Sequence, residues 1–165
     1  MLLRHGKSDW DAGIARDHDR VLAPRGIKAA KLIGRSITDS ELVPDRVVTS
    51  SAIRAKTTAE LAAEAGGWDS AFEVTEDLYA TTVGGALEVL RGQDEKSDAD
   101  RILLVGHEPT WSGLASTLIG GGRLSVVTAA LVVMDLGISR WADVDAGCGE
   151  LKLFVIPRWL KKALD

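Results

Sequence analysis

The sequence predicts an α/β fold with a mostly parallel sheet and one antiparallel edge. Short apolar runs alternate with helix-like patterns along the chain, as they do in α/β proteins. The last two runs are joined by a loop and not by a long helix, which favours an antiparallel pair. A length of 165 residues suits one domain with its own core, so we predict a single domain over residues 1–165.

The first elements follow from composition and spacing. The apolar start Met1–Leu3 predicts a strand, although it is short for one, so either the strand is abbreviated or the natural start lies upstream. Residues 7–23 are polar and predict a long loop over one end of the sheet. The next segment has apolar residues at helical spacing, and Pro24 suits a first helical position. It predicts the helix Pro24–Thr38.

The remaining elements alternate in the same way. Pro109 also suits a helix start, and Gly120–Gly122 is a plausible helix stop. The remaining predicted strands are Arg46–Thr49, Phe72–Thr75, Arg101–Val105, Ala130–Leu136 and Leu151–Ile156. The remaining predicted helices are Ala52–Ala65, Val83–Arg91 and Pro109–Ile119.

Composition restricts the classes of function. With 45% hydrophobic and 27% charged residues the chain reads as a globular protein, and a net charge of −4 argues against nonspecific nucleic-acid binding. No apolar run approaches the roughly 20 residues of a membrane-spanning helix, and nothing resembles a secretory signal. The single Cys148 cannot form an internal disulfide, so we expect a cytoplasmic location.

Two arginines and two histidines follow predicted strands. Arg4 and His5 come after the first strand, Arg54 begins the helix after the second, and His107 follows the fourth. Open α/β sheets form their ligand crevice at the carboxyl ends of strands, where helix amino termini also favour anions. Arginine forks grip phosphoryl oxygens, and a neutral imidazole can attack phosphorus. The four side chains therefore indicate a phosphoryl site.

Each residue alone has a plainer interpretation. His5 or His107 could be an ordinary loop histidine, Arg54 a surface residue, and His18 a surface residue of the loop. A metal site is the alternative use of His5, His18, Asp9 and Asp11. Their spacing matches no regular ligand pattern, and nearby arginines would repel a cation, so we predict no metal.

Three segments together resemble a known family. "LLRHG", "TSSAIRAKTTAE" and "LLVGHEPT" resemble, in order and spacing, the histidine phosphatase superfamily, which shares its fold with cofactor-dependent phosphoglycerate mutase. "RHGKSDW", "DHDRVLAPRG" and the short length look most like its SixA-type phosphohistidine phosphatases. The resemblance covers nearly the whole chain and implies a three-layer, phosphoglycerate mutase-like sandwich.

The resemblance also implies roles. His5 would be the nucleophile, and Arg4, Arg54 and His107 would bind the phosphoryl oxygens without metal or cofactor. Gly6 and Ser8, in the same motif as His5, are expected to bind substrate. One nitrogen of His5 must be unprotonated and the other held by an acceptor such as a backbone carbonyl.

Two positions depart from the wider superfamily. Asp11 stands where many members carry an Asn that touches phosphate, and because an ionised Asp would repel substrate we expect it to point towards Arg16 or Arg20. Ala80 stands where mutases and broad phosphatases carry a general-acid Glu. Two carboxylates lie nearby but offset, Glu76 and Asp77.

The expected pocket is open, because the chain has no long insertion that could cap it. Trp10 and Trp111 could form a rim for a protein partner and are included among the expected substrate-binding residues, although Trp111 also belongs to an apolar stripe typical of a core helix. We therefore expect a phosphatase acting on phosphohistidine of a protein partner. The alternatives are a phosphatase of small phosphomonoesters and, less favoured, a noncatalytic phosphate-binding module.

Overall fold

A six-stranded sheet forms the centre of the protein in a computed structural model that describes residues 1–10, 13–93 and 98–164. Its strand order is β3-β2-β4-β1-β5-β6. Strands β1 to β4 pair in parallel, whereas β5 runs antiparallel to β1 and to β6. The predicted parallel sheet with an antiparallel edge is confirmed. The strands are β1 (Leu2–Arg4), β2 (Arg46–Ser50), β3 (Ala71–Thr75), β4 (Ile102–Gly106), β5 (Leu131–Leu136) and β6 (Gly149–Val155).

Helices cover both faces of the sheet. Residues of β4 alternate between two cores: Leu104 packs in the core formed with α3 and α4, and Leu103 packs in the core formed with α1 and α2. Apolar residues on both faces are typical of strands in a parallel sheet that is buried on both sides. The predicted three-layer arrangement is confirmed. The helices are α1 (Pro24–Asp39), α2 (Ile53–Gly66), α3 (Val83–Arg91), α4 (Thr110–Leu118) and α5 (Pro157–Leu164).

Most predicted boundaries lie within one or two residues of the observed ones. Pro24 is at the start of α1, and α4 is followed by Gly120, whose φ of 79° lies in the left-handed region that favours glycine. Pro109 lies one residue before α4 and caps it. The sequence did not indicate α5, and the predicted loop at residues 7–23 contains a short 3-10 helix, Asp17–Asp19.

The topology brings the predicted site together. The strands followed by Arg54, His107 and His5 are β2, β4 and β1, and these three are direct neighbours in the sheet. Because they run parallel, their carboxyl ends open on the same edge. Within the part of the chain that the structure describes, no helix is long and apolar enough to cross a membrane.

Candidate active site

His5 lies directly after β1 and is only 7% exposed. Its backbone N–H donates to the Gly106 carbonyl at 3.0 Å, which ties it to the end of β4. Its ring Nδ1 lies 2.7 Å from the Gly6 carbonyl oxygen. A carbonyl can only accept, so Nδ1 must carry the proton and Nε2 keeps a free lone pair. The expectation that a backbone carbonyl holds one ring nitrogen is confirmed.

Burial keeps His5 neutral. Loss of solvation, together with the positive charges of Arg54, Arg4 and Arg20, lowers the pKa of His5 to about 4 against the opposing hydrogen bond to Gly6. At neutral pH the ring is therefore an unprotonated base with its lone pair on Nε2. This is the form of imidazole that can attack phosphorus.

Gly6 holds the backbone that carries His5. Its N–H donates to the Thr58 hydroxyl of α2 at 2.9 Å. A Cβ at Gly6 would lie 2.9 Å from the Gly26 carbonyl of α1, closer than side chains tolerate, so the loop can approach α1 only with glycine here. The Gly6 amide, expected to bind substrate, is thus engaged within the protein.

Arg4 and Arg54 each use one part of the guanidinium to contact the protein. Arg4 Nη1 donates to the Val126 carbonyl at 3.0 Å. Arg54 Nη1 and Nη2 donate to the Asp17 carbonyl and carboxylate at 2.6 and 2.9 Å. In both arginines the Nε atom is buried and has no hydrogen-bond partner among the described residues. Arg46 has such an Nε too, so it is the clustering at the sheet edge that indicates an anion site.

His107 faces His5 across the site. The two ring centroids are 5.1 Å apart with the planes tilted by 53°. His107 Nε2 lies 2.9 Å from the Ser50 hydroxyl, while Nδ1 is buried and has no partner within the described ranges. Burial, and next the charges of His5 and Arg54, lower the pKa of His107 to about 3. We call the space between Arg4, His5, Arg54 and His107 the phosphoryl pocket.

A third arginine adjoins the phosphoryl pocket. Arg20 Nη1 donates to the Ser8 hydroxyl at 3.1 Å, and Nη2 lies 2.7 Å from Asp17 Oδ1. The Arg20 guanidinium also lies 3.7 Å from the ring centroid of Trp10, which is 70% exposed. Ser8 and Trp10, expected to bind substrate, thus both contact Arg20. Arg20 and Asp17 were not predicted as site residues, although an aspartate and an arginine at i, i+3 spacing indicate an ion pair in the loop.

The expected partner of Arg20 was a different carboxylate. Asp11 lies outside the described residues, so the expectation for its side chain stays a prediction. Arg20 is paired with Asp17, and Arg16 lies 3.8 Å from Asp19. The two loop arginines therefore already have carboxylate neighbours from the 3-10 helix.

A cleft of about 580 Å³ lies beside the phosphoryl pocket. The Tyr79 ring connects the two, since it stands edge-on to His107 at 6.0 Å and to His18 at 4.9 Å between centroids. His18 is half-buried and its Nε2 lies 3.0 Å from the Ser51 hydroxyl, so the interpretation of His18 as a surface loop residue is wrong. We call this space the tyrosine cleft; its lining residues are Arg16, Asp17, His18, Ser51, Glu76 and Tyr79.

Trp111 does not reach the site. It is fully buried on α4 in the core with Leu114, Ala115 and Leu118, so its expected role at the rim is wrong and the alternative, an apolar core stripe, is confirmed. Its large apolar ring packs in this core, where removing apolar surface from water stabilises the fold.

The segment after β3 places the two offset carboxylates differently. Ala80, at φ 51°, supplies no acid. The Asp77 carboxylate accepts from the Thr75 hydroxyl at 3.1 Å within its own turn. Glu76 instead lines the tyrosine cleft.

The described residues hold no group of three or more His, Cys, Asp or Glu side chains suited to a metal ion. Of the alternative metal set, His5 bonds Gly6 and His18 contacts Ser51 and Asp19. Asp11 lies outside the described residues. The positive charge at the site comes from arginines.

Comparisons with known proteins agree with this geometry. A family model described as the histidine phosphatase superfamily (branch 1) matches residues 1–86. An uncharacterised protein of Mycobacterium tuberculosis (strain ATCC 25618 / H37Rv) is 36% identical over 94% of this chain and its own full length.

Solved structures give the same picture. A proposed phosphohistidine phosphatase SixA from Agrobacterium tumefaciens is 25% identical with a TM-score of 0.77, covering 94% of this chain and 96% of its own. The protein histidine phosphatase SixA complexed with tungstate shares the fold at a TM-score of 0.81 and 24% identity, covering 96% of this chain and 97% of its own.

Proposed function

The chain belongs to the histidine phosphatase superfamily, which makes it a phosphatase, and from that premise we propose a metal-independent reaction through a phosphohistidine on His5. We propose further that the substrate is phosphohistidine on a protein partner. One observation carries the mechanism. The Gly6 carbonyl holds the proton of His5 on Nδ1, so that Nε2 keeps a lone pair. The charges of Arg54, Arg4 and Arg20 act on the same ring.

The proposed reaction has two steps, transfer of the phosphoryl group to His5 and hydrolysis of phospho-His5. His5 Nε2 attacks phosphorus, a P–N bond to His5 forms, and the bond from phosphorus to the leaving nitrogen or oxygen breaks with its electron pair. Water then attacks the phosphorus of phospho-His5, the P–N bond breaks, and phosphate leaves. The Gly6 carbonyl keeps the Nδ1 proton through both steps, so the ring does not need to change tautomer.

Arg4, Arg54 and His107 stabilise the charge on the phosphoryl oxygens. The charges of both arginines act on His5, which places two guanidinium groups beside the nucleophile, where they can bind phosphoryl oxygens. Preorganised positive groups of this kind supply most of the catalysis in phosphoryl transfer. Burial lowers the pKa of His107 to about 3, and the negative charge of a bound phosphoryl dianion would raise it and favour the protonated ring.

The missing acid supports phosphohistidine as substrate. An alkyl ester expels an alkoxide whose conjugate acid has a pKa near that of water, about 15.7, so fast departure needs a proton donor. Imidazole leaves more easily, because a phosphohistidine ring protonated from solution or at the pocket mouth departs as neutral imidazole, whose conjugate acid has a pKa of about 6.5. Ala80 provides no carboxyl group where such a donor is expected. The site therefore suits a leaving group that departs without help from an enzyme acid.

The surroundings of the pocket support a substrate side chain carried by a protein. The tyrosine cleft continues from His107 past Tyr79 to His18 and offers flat rings beside the pocket. Trp10, exposed and stacked on Arg20, lies in the loop that follows His5. Rings of this kind offer contacts to a histidine side chain on a flexible peptide segment.

A second candidate function rests on Glu76. Its place in the lining of the tyrosine cleft puts a carboxyl group beside the pocket, where it could protonate an alkoxide. This favours small phosphomonoesters as the alternative substrates. A site that binds phosphate without turnover is the remaining alternative, and it predicts no phosphate release from any substrate.

The proposed function is tested by trapping the intermediate. Wild-type protein mixed with a phosphohistidine peptide and quenched in alkali should carry phosphate on His5, located by mass spectrometry of its peptides. His5→Ala should carry none and should release no phosphate, while its circular dichroism spectrum stays that of the wild type. Near-normal turnover in His5→Ala, or phosphate trapped on another residue, contradicts the mechanism.

A further inference from the structure

One carboxylate joins two of the arginines at the site. Asp17 Oδ2 accepts from Arg54 Nη2 at 2.9 Å, and Asp17 Oδ1 lies 2.7 Å from Arg20 Nη2. The Asp17 carbonyl accepts a second bond from Arg54, and Tyr79 donates its hydroxyl proton to Oδ2 at 3.2 Å. Asp17 thus contacts three side chains on the border between the phosphoryl pocket and the tyrosine cleft.

Asp17 accepts hydrogen bonds from the two terminal nitrogens of Arg54 and does not occupy all of their N–H groups. Asp17 takes the edge formed by Nη1 and Nη2, while the Nε atom is buried without a partner among the described residues. Each terminal nitrogen carries two hydrogens, so Nη1 and Nη2 each keep one N–H besides the one that Asp17 accepts. Arg20 is held in the same way, with both terminal nitrogens engaged and Nε unpartnered in the described part of the chain. A guanidinium can bind two acceptors on different edges at once. Asp17 and a phosphoryl group can therefore contact Arg54 together.

The positive charges of the arginines at the site favour a carboxylate between them. Arg4, Arg20 and Arg54 all act on the pKa of His5, so three like charges lie near one another. Burial of the Asp17 carboxyl favours a higher pKa, but the charges of Arg54 and Arg20 outweigh it and hold the pKa below its ordinary value. Asp17 is half exposed, whereas Arg54 and Arg20 are nearly buried. The ionised carboxylate reduces repulsion between two cations that have little access to water.

We propose that Asp17 is a positioning residue that holds the guanidinium groups of Arg54 and Arg20 in place beside the transferring phosphoryl group. It acts through the arginines and does not itself touch the reacting atoms. For catalysis the proposal rests on the proposed function, whereas its effect on oxyanion binding can be measured without turnover.

Asp17→Asn is the sharpest variant. It keeps the size of the side chain, but Arg54 and Arg20 contact different carboxylate oxygens, and in asparagine one of those positions becomes an NH₂ group that cannot accept. With an aryl phosphate as substrate, we expect kcat to fall about 10- to 100-fold and KM to change less than about threefold, because misplacing a transition-state contact costs rate more than ground-state binding. Asp143→Asn is the matched control, since Asp143 also belongs to a 3-10 helix and pairs with an arginine, Arg140. It should leave both constants unchanged.

Two further measurements separate positioning from other roles. In an Arg54→Ala background, Asp17→Asn should lower kcat clearly less than it does in the wild type, because only Arg20 of the two arginines is left for Asp17 to hold. Calorimetric titration of Asp17→Asn should show at least about tenfold weaker binding of vanadate, which mimics five-coordinate phosphorus. Binding of inorganic phosphate should change much less.

Other outcomes overturn the proposal. Tighter phosphate and vanadate binding in Asp17→Asn would make Asp17 a competitor of substrate. A full additional loss in the Arg54→Ala background would mean that Asp17 does not act through Arg54. If Asp17→Asn does not fold, Asp17→Ser is measured in its place, and equal loss of vanadate and phosphate affinity would show a merely structural role. If the wild type turns over no phosphorylated substrate, the proposed function fails while the two titrations still decide the role of Asp17.

Discussion

Replacing His5 with glutamine should make the fold less sensitive to acid, although it removes the proposed nucleophile. In the folded protein the pKa of His5 is lowered from 6.5 to about 4, mainly by burial and next by the arginines around it. In the unfolded chain the same ring returns to about 6.5. Below that pH the unfolded state binds a proton that the folded state does not. Stability is therefore fully present above pH 6.5 and is lost progressively as the pH falls towards about 4.

The size of the effect follows from the two pKa values. Each unit of difference corresponds to about 1.4 kcal/mol, and at pH 4.5 the full two units below 6.5 contribute about 2.5 kcal/mol. His5 is 7% exposed, so solvent screens little of this. Typical domains have unfolding free energies of about 5–15 kcal/mol, so the loss is a large fraction of the total. Glutamine has no charge to gain and does not contribute this term.

Urea unfolding followed by tryptophan fluorescence measures the difference. The unfolding free energies of the wild type and His5→Gln are compared at pH 7.5 and pH 4.5. Carboxylates contribute nearly equally to both proteins and cancel in the comparison, and His107 keeps the burial that is the main cause of its lowered pKa. The wild type should lose about 2.5 kcal/mol more than the variant between these pH values. Parallel losses within about 0.5 kcal/mol would show that His5 is not held neutral by burial, and the argument for its nucleophilic form would fall with it.

Three further predictions concern the reaction. Arg54→Ala should lower kcat about 10²- to 10³-fold in steady-state assays, the usual loss for one transition-state charge contact, and a loss below tenfold would contradict its role. Chelators should leave activity unchanged while vanadate inhibits, since the positive charge comes from Arg4 and Arg54; loss in EDTA that a divalent ion restores would return the metal hypothesis. The ratio of kcat/KM for phosphohistidine to that for an alkyl phosphate should be high and should fall in Ala80→Glu. Should Glu76→Gln abolish only ester turnover, Glu76 is the acid and the small-molecule function replaces ours.

Local patterns were enough for the element order and for the main candidates. Helices α1 to α4 and all six strands were predicted close to their observed bounds because apolar spacing and proline positions are local signals. Arg4, His5, Arg54 and His107 could be selected because parallel strands bring their carboxyl ends to one edge, whatever the strand order. The role assigned to each of these four side chains remains a prediction that the experiments above test.

The features that sequence reasoning missed depend on contacts between distant segments. Trp111 was considered for the rim, but its position on α4 points it into the core. His18 was considered a surface residue, but Ser51 and Tyr79, far away in the sequence, border it in the structure. Such pairings involve residues dozens of positions apart and leave no local signal.

The sequence by itself determined the α/β class, the order of the elements and the set of charged residues at strand ends, because these follow from periodicity and local propensity. Only the tertiary structure decided that β2, β4 and β1 are neighbours, and so how closely His5 and His107 approach. It also decided the protonation of His5 and the contact of Asp17 with two arginines. A pKa and a hydrogen bond depend on burial and on the distance to groups elsewhere in the chain, and packing alone sets these quantities.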